Sequence, residues 1–168
     1  MQAQIKMNPY RISSATNDKY MHLKVTDMAQ SMSFYVDLLG FKTDLVYEDH
    51  TAAYLSAGSH HYLLALDTWF EQHLPQSEAQ GTSIFHSLIQ YPTRKDLAIV
   101  YLHLKTAAYP LIDAVDLGVS EIIYLEDPDR NSLELCWDRP KKEWPKKPNG
   151  NFEMSSRPLD LEDLLLML

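Results

Sequence analysis

One pattern limits the folds open to this chain more than any other: a strand, a helix and three further strands are spelled out twice. Residues 21–26 (Met-His-Leu-Lys-Val-Thr) alternate in character and read as a strand. Asp27 follows as a helix N-cap, with Gln30 in the capping-box position. Apolar residues at 28, 32, 35, 38 and 39 mark one helix face, and Gly40 closes the helix as its C′ residue. Strand-like stretches at 41–48, 52–57 and 61–67 come next, separated by Glu48-Asp49-His50 and Ala57-Gly58-Ser59. Residues 70–83 are mostly polar and read as a linker. The order then resumes. Ser83 to Gln90 reads as a strand, and Thr93 with Asp96 repeats the cap signal. Leu97, Val100, Tyr101, Leu104 and Ala108 give a helix with one buried face. Strands at 119–125 and 132–138 enclose a turn at 127–131, while 110–116 is too irregular to assign. Superposing Asp27 on Thr93 gives an offset of 66 residues, with Tyr35 falling on Tyr101 and Leu38 on Leu104.

Each such module leaves one sheet face uncovered, and two modules bury those faces by pairing them. The expected fold is α+β: two paired βαβββ modules forming a curved mixed sheet around a central cavity. The expected divisions are an N-terminal extension (1–19), a first module (20–69), a linker (70–83), a second module (84–138), and a C-terminal strap with a short helix (139–168). Composition narrows the functions. Hydrophobic residues at 45% and charged residues at 23% suit a globular protein. Fifteen basic against 23 acidic residues give a net charge of −8, which argues against a nucleic-acid partner. The longest apolar runs, such as Leu63 to Leu66, are too short to cross a bilayer, so no membrane partner is expected. Met1 to Asn8 carries no apolar core of signal-peptide length, and Cys136 stands alone, so a cytoplasmic location is expected.

Among seven histidines, His22 and His86 stand inside the first strand of each module. His60 and His61 open another strand, where alternation sends one inward and one outward. His50 reads as a turn residue, His73 lies in the linker, and His103 lies off the apolar stripe of its helix. Glu134 interrupts Ser-Leu-Glu-Leu-Cys-Trp, a strand of strong core character. A carboxylate there either faces water from an edge strand or finds a partner, because an unpaired buried charge is costly. Two imidazoles and one carboxylate on one face form the facial triad that suits non-haem Fe(II). Cys136 shares the face of Glu134 and reads as packing. Arg139 to Pro148, with five cations and three prolines, reads as a stiff exposed strap. Asp160 to Leu168 reads as a short amphipathic helix docking on its own domain or on a neighbour's, which leaves a homodimer open.

His22-Leu23-Lys24-Val25-Thr26-Asp27, Ser33-Phe34-Tyr35 and Leu39-Gly40-Phe41 resemble the opening of a vicinal oxygen chelate protein. That superfamily includes glyoxalases, bleomycin-resistance proteins and extradiol dioxygenases. The run from Gly118 to Asp129, with Leu133-Glu134 and Trp137-Asp138-Arg139-Pro140, resembles its catechol 2,3-dioxygenase-like branch. The resemblance spans Tyr20 to Trp144. It implies paired modules around Fe(II) or another divalent metal, held by His, His and Glu. Carried over by position, Glu134 falls on the carboxylate ligand, His86 on a histidine ligand, and Tyr124 on the active-site tyrosine. The first-module ligand position holds Tyr20, with His22 two residues on. Leu117 stands where ring-cleaving relatives carry an acid–base histidine, and Arg130 where they carry glycine. His61, or else the adjacent His60, is the candidate replacement for the lost acid–base group. The expected function is that of a metal-dependent dioxygenase acting on a catechol-like aromatic, with a degenerate active site. The alternative is a small-molecule binding module of the same fold without metal catalysis.

Overall fold

In the computed structural model, the described residues are 21–58, 63–68 and 86–168. The first module comprises β1 (Met21–Lys24), α1 (Met28–Met32), a π-helical turn (Ser33–Leu38), β2 (Lys42–Val46), β3 (Ala52–Ser56) and β4 (Leu64–Asp67). The second comprises β5 (Ser87–Gln90), α2 (Arg94–Thr106), β6 (Asp113–Asp116), β7 (Ser120–Glu126) and β8 (Ser132–Asp138). A 3₁₀ turn (Lys141–Glu143), β9 (Arg157–Pro158) and α3 (Leu161–Leu165) follow. The strands form two mixed sheets, ordered β1-β4-β3-β2 and β5-β8-β7-β6-β9. Within each module the first strand lies parallel to the last, and the remaining pairs are antiparallel. The α+β class and the twofold βαβββ order are those the sequence predicts. Among the described residues no helix is long and apolar enough to cross a membrane.

Both helices start where their caps dictate. Asp27 is extended (φ −131°) and its carboxylate accepts from the Gln30 N–H at 3.0 Å. Thr93 Oγ1 accepts from the Asp96 N–H at 3.1 Å. The single α-helix expected over 28–39 is corrected, because its second half widens into the π turn, where the Leu39 N–H reaches back to the Phe34 carbonyl at 3.0 Å. The wider turn buries two adjacent aromatics, Phe34 and Tyr35, on the side of the second module. The Phe34 ring lies 5.0 Å from that of Tyr109, and the Tyr35 hydroxyl donates to Asp127 Oδ2 at 2.7 Å.

The β7–β8 turn fastens the modules together. Asp127 is 3% exposed and also accepts from the N–H groups of Asp129 and Asn131 and from Asn131 Nδ2. Asp129 accepts from the Thr26 N–H and hydroxyl, and Asn131 Nδ2 donates to the Lys24 carbonyl. One hydrophobic cluster, including Leu23, Tyr35, Leu97, Leu104, Ile123 and Leu135, runs through both modules. Within this turn Arg130, standing where the resemblance places a glycine, takes a positive φ of 65°. Such a conformation costs a non-glycine residue about 1–2 kcal/mol. Arg130→Gly is therefore expected to raise stability by up to about 1 kcal/mol, after the entropy glycine adds to the unfolded chain. Thermal denaturation of the variant checks this; a lower melting temperature would contradict it.

Two expectations at the C-terminal side are corrected. The unassigned stretch 110–116 contains strand β6, paired with β7. Its irregular pattern arises because an inward position is a carboxylate, Asp116, only 6% exposed. Arg139 is not part of an exposed strap: it bonds Asp116 at 2.9 Å and also engages Glu121. Arg157 of β9 bonds Asp116 at 2.9 Å, and Arg94 of α2 bonds Glu121 at 2.8 Å. Helix α3 docks on its own domain, with Leu164 fully buried and Asp163 paired with Arg94 at 2.8 Å.

Burial alone would raise the Asp116 carboxyl. Hydrogen bonds from Arg139, the Gly118 N–H and Arg157 outweigh it and lower the pKa to about 2. A group depressed in the folded state adds stability above its unfolded pKa and loses it as pH falls through the folded value. Asp116 is thus expected to contribute fully above pH ~4 and to lose that contribution between about 4 and 2. Acid titration of Asp116→Asn checks this: its stability should fall less steeply than the parent's across that window.

Candidate functional site

The candidate site lies on the face of the second sheet turned away from α2. Alternation decides which side chains stand there. Leu133, Leu135, Ile123 and Leu125 are buried in the hydrophobic cluster, so Ser132, Glu134, Cys136, Ile122, Tyr124 and Glu126 point the other way. Cross-strand pairing sets out the rungs. Leu88, Glu134, Tyr124 and Asp113 share one rung, and Gln90, Cys136, Ile122 and Val115 share the next. Strand β8 lies between β5 and β7, which removes the edge-strand reading of Glu134.

His86, immediately before β5, places Nδ1 3.1 Å from Glu134 Oε1, and these side chains are 16% and 19% exposed. The imidazole centroid lies 5.3 Å from that of the Tyr124 ring. Burial first, then the charges of Glu134, Cys136 and Asp113, push the Tyr124 hydroxyl above its ordinary pKa. It is accordingly a protonated hydrogen-bond donor at neutral pH. Burial, reinforced by Asp138, pushes the Cys136 thiol up to about 12. Thiolate chemistry is closed to it at physiological pH.

His22 occupies the corresponding face of the first sheet, opposite to that of the buried Leu23. Its Nε2 lies 3.3 Å from Asp67 Oδ2 on the neighbouring parallel strand. Tyr20 and His61 lie outside the described residues, as do His60 and His73. Among the described residues, no group of three His, Cys, Asp or Glu side chains is arranged to hold a metal ion. His86 and Glu134 supply two donors, one short of a facial triad.

Leu117 sits in the β6–β7 turn, where its N–H bonds the Ser120 carbonyl and its own carbonyl accepts from the Ser155 N–H. Ser120 pairs with Asp138, four residues along β8 from Glu134 and therefore about 13 Å away. Position 117 is thus two rungs from the carboxylate, while Val115 is on the adjacent one. The sequence reading missed two members of these faces, Asp67 and Asp113. The signal for Asp113 was the alternation Asp-Ala-Val-Asp at 113–116, obscured by the inward charge of Asp116. A separate recess of about 420 Å³ opens between the modules, lined by residues including Leu39, Phe41, Ile89, Val100 and His103.

A sequence profile of the Glyoxalase/Bleomycin resistance protein/Dioxygenase superfamily matches residues 18–135. Among curated proteins, a catechol-2,3-dioxygenase of Bacillus subtilis (strain 168) is 31% identical over 154 residues, covering 92% of this chain and 53% of that protein. A biphenyl-2,3-diol 1,2-dioxygenase 3 of Rhodococcus globerulus is 28% identical over 116 residues, covering 69% of this chain and 60% of the relative. The chain thus spans little more than half the length of these relatives. Among solved structures, a glyoxalase/dioxygenase from Nostoc punctiforme superposes with a TM-score of 0.64 at 18% identity, covering 80% of this chain and all of that one. A lactoylglutathione lyase from Agrobacterium tumefaciens gives 0.58 at 15% identity, covering 74% and 96%. At these identities the superpositions establish the fold alone.

Proposed function

The chain belongs to the glyoxalase/bleomycin resistance protein/dioxygenase superfamily, and from that premise we propose that it binds a small catechol-like aromatic beside His86, Glu134 and Tyr124. The site is read as a degenerate relative of a ring-cleaving dioxygenase centre, in which binding outlasts rapid chemistry. The observation that carries the reading is the His86–Glu134 pair at 3.1 Å with the Tyr124 ring alongside, on the sheet face turned away from α2. The two curated relatives, both named as dioxygenases of aromatic diols, support the ligand class. Glu134 accepts a hydrogen bond from a ligand hydroxyl, and the Tyr124 phenol donates one to a ligand oxygen. His86 holds the carboxylate in place from the opposite side. Fe(II) or another divalent metal is the cofactor the resemblance implies, with Tyr20 or His22 joining His86 and Glu134. The described donors do not fit a complete facial set, so the reading rests on hydrogen bonding by the chain itself. His61 keeps its place as the proton-transfer candidate of the ring-cleaving reading.

Titration of the purified protein with catechol, followed by calorimetry before and after chelation, tests this. Saturable binding is expected, with slow or undetectable ring cleavage when Fe(II) is supplied. Absence of catechol binding in both preparations would overturn the reading. Glu134→Ala is expected to weaken catechol binding at least tenfold, since a charge-assisted hydrogen bond contributes about 1.5–3 kcal/mol. The fold should persist, because both members of the His86–Glu134 pair are partly exposed, so the imidazole left behind can be solvated. Unchanged affinity in a folded variant would reject the role of Glu134.

A further inference from the structure

We propose that the aromatic accepted by this face is uncharged or cationic, and that aromatics carrying a carboxylate or phosphate are excluded. This inference rests on the aromatic-binding reading above and adds the charge class of the ligand. The Tyr124 ring stands between two carboxylates, with Glu134 opposite on β8 and Asp113 opposite on β6. Each is one strand away, about 5 Å in backbone spacing. Glu126 stands on the same face one rung along β7, about 7 Å away, and is exposed. Asp138, two rungs along β8 from Glu134, completes a set of four acidic side chains on the face.

Arg94, Arg139 and Arg157 are committed to the other face of the sheet. The His86 imidazole is matched by Glu134 at 3.1 Å. Arg94 and Arg139 engage Glu121, on the opposite face of the sheet, and Arg139 and Arg157 engage Asp116 there. Val115, on the next rung of β6, and Leu88, at the β5 end of the Glu134 rung, are the accessible apolar groups that offer contact to an aromatic body. An anionic substituent on that body meets two to four like charges, and like-charge juxtaposition is a strong means of rejecting a ligand. A neutral diol meets acceptors for its hydroxyl protons, and an amine meets counter-charges.

The test compares three ligands by calorimetry on the full chain after chelation: catechol, 3,4-dihydroxybenzoate and 2-(3,4-dihydroxyphenyl)ethylamine. The expected result is dihydroxybenzoate binding at least tenfold more weakly than catechol, with the amine at least equal to catechol. The gap should shrink at 1 M salt, where the screening length falls to about 3 Å. Asp113→Asn and Glu126→Gln should each reduce it at least threefold. Dihydroxybenzoate binding as tightly as catechol would overturn the charge inference and leave the aromatic reading intact. Failure of all three ligands to bind would overturn the aromatic reading, and this inference with it.

Discussion

Arg139→Ala is expected to be the most destabilising single substitution among the ion-paired residues of the second sheet, at about 3–5 kcal/mol. The guanidinium joins two carboxylates that the fold has buried, Asp116 at 6% exposure and Glu121 at 1%. It also donates to the Gly118 carbonyl, and its own carbonyl accepts from the Trp144 indole. Removing the cation leaves like charges facing each other on adjacent strands, since Asp116 and Glu121 are cross-strand partners. Arg94 still holds Glu121 and Arg157 still holds Asp116, so the remaining network is weakened and not abolished. Arg139→Lys should recover only part of the loss, because a single ammonium cannot reproduce the planar fork. Denaturant unfolding of both variants measures this; a cost below 1 kcal/mol for alanine would show the network to be redundant.

Asp127→Ala is expected to cost about 3–4 kcal/mol and to loosen the junction between modules. Its carboxylate accepts four hydrogen bonds, one of them from Tyr35 across the junction. Truncation strands the Tyr35 hydroxyl in a buried place and unties the Asn131 side chain. Tyr35→Phe removes only one of the four bonds and should cost about 1 kcal/mol. The contrast separates the two roles of the turn. If both variants lose the same stability, Asp127 acts only through Tyr35, and the turn itself stands without it. Limited proteolysis of the alanine variant should also reveal faster cleavage between the modules than in the parent.

The parts of the fold that were legible are those written in local signals. Asp27 and Thr93 announce their helices because a cap is settled within three residues, and alternation in Ser132–Asp138 gives that strand without reference to its neighbours. What escaped depends on residues far apart in the chain. Arg139 sits in a cationic, proline-rich run and looks like surface until Asp116 and Glu121 arrive from other strands. The partnership of His22 with Asp67, and the flanking of Tyr124 by Asp113, depend on strand register, which no stretch of sequence contains alone. His86 and Glu134 could be paired in advance because the resemblance supplied the register that local reading lacks.

The π turn carries a consequence for how this chain tolerates length changes. An α-helix advances about 100° per residue, so a residue added to or removed from ordinary winding turns everything upstream by that angle. The wider turn at Ser33–Leu38 holds one residue more than α winding and absorbs it in place. Deleting one residue there would restore ordinary winding while Met28, Met32 and the Asp27 cap kept close to their present phase, and the adjacent pair Phe34 and Tyr35 would bear the change. The turn is thus the one stretch of this helix where a change of length is taken up locally, like slack in a line.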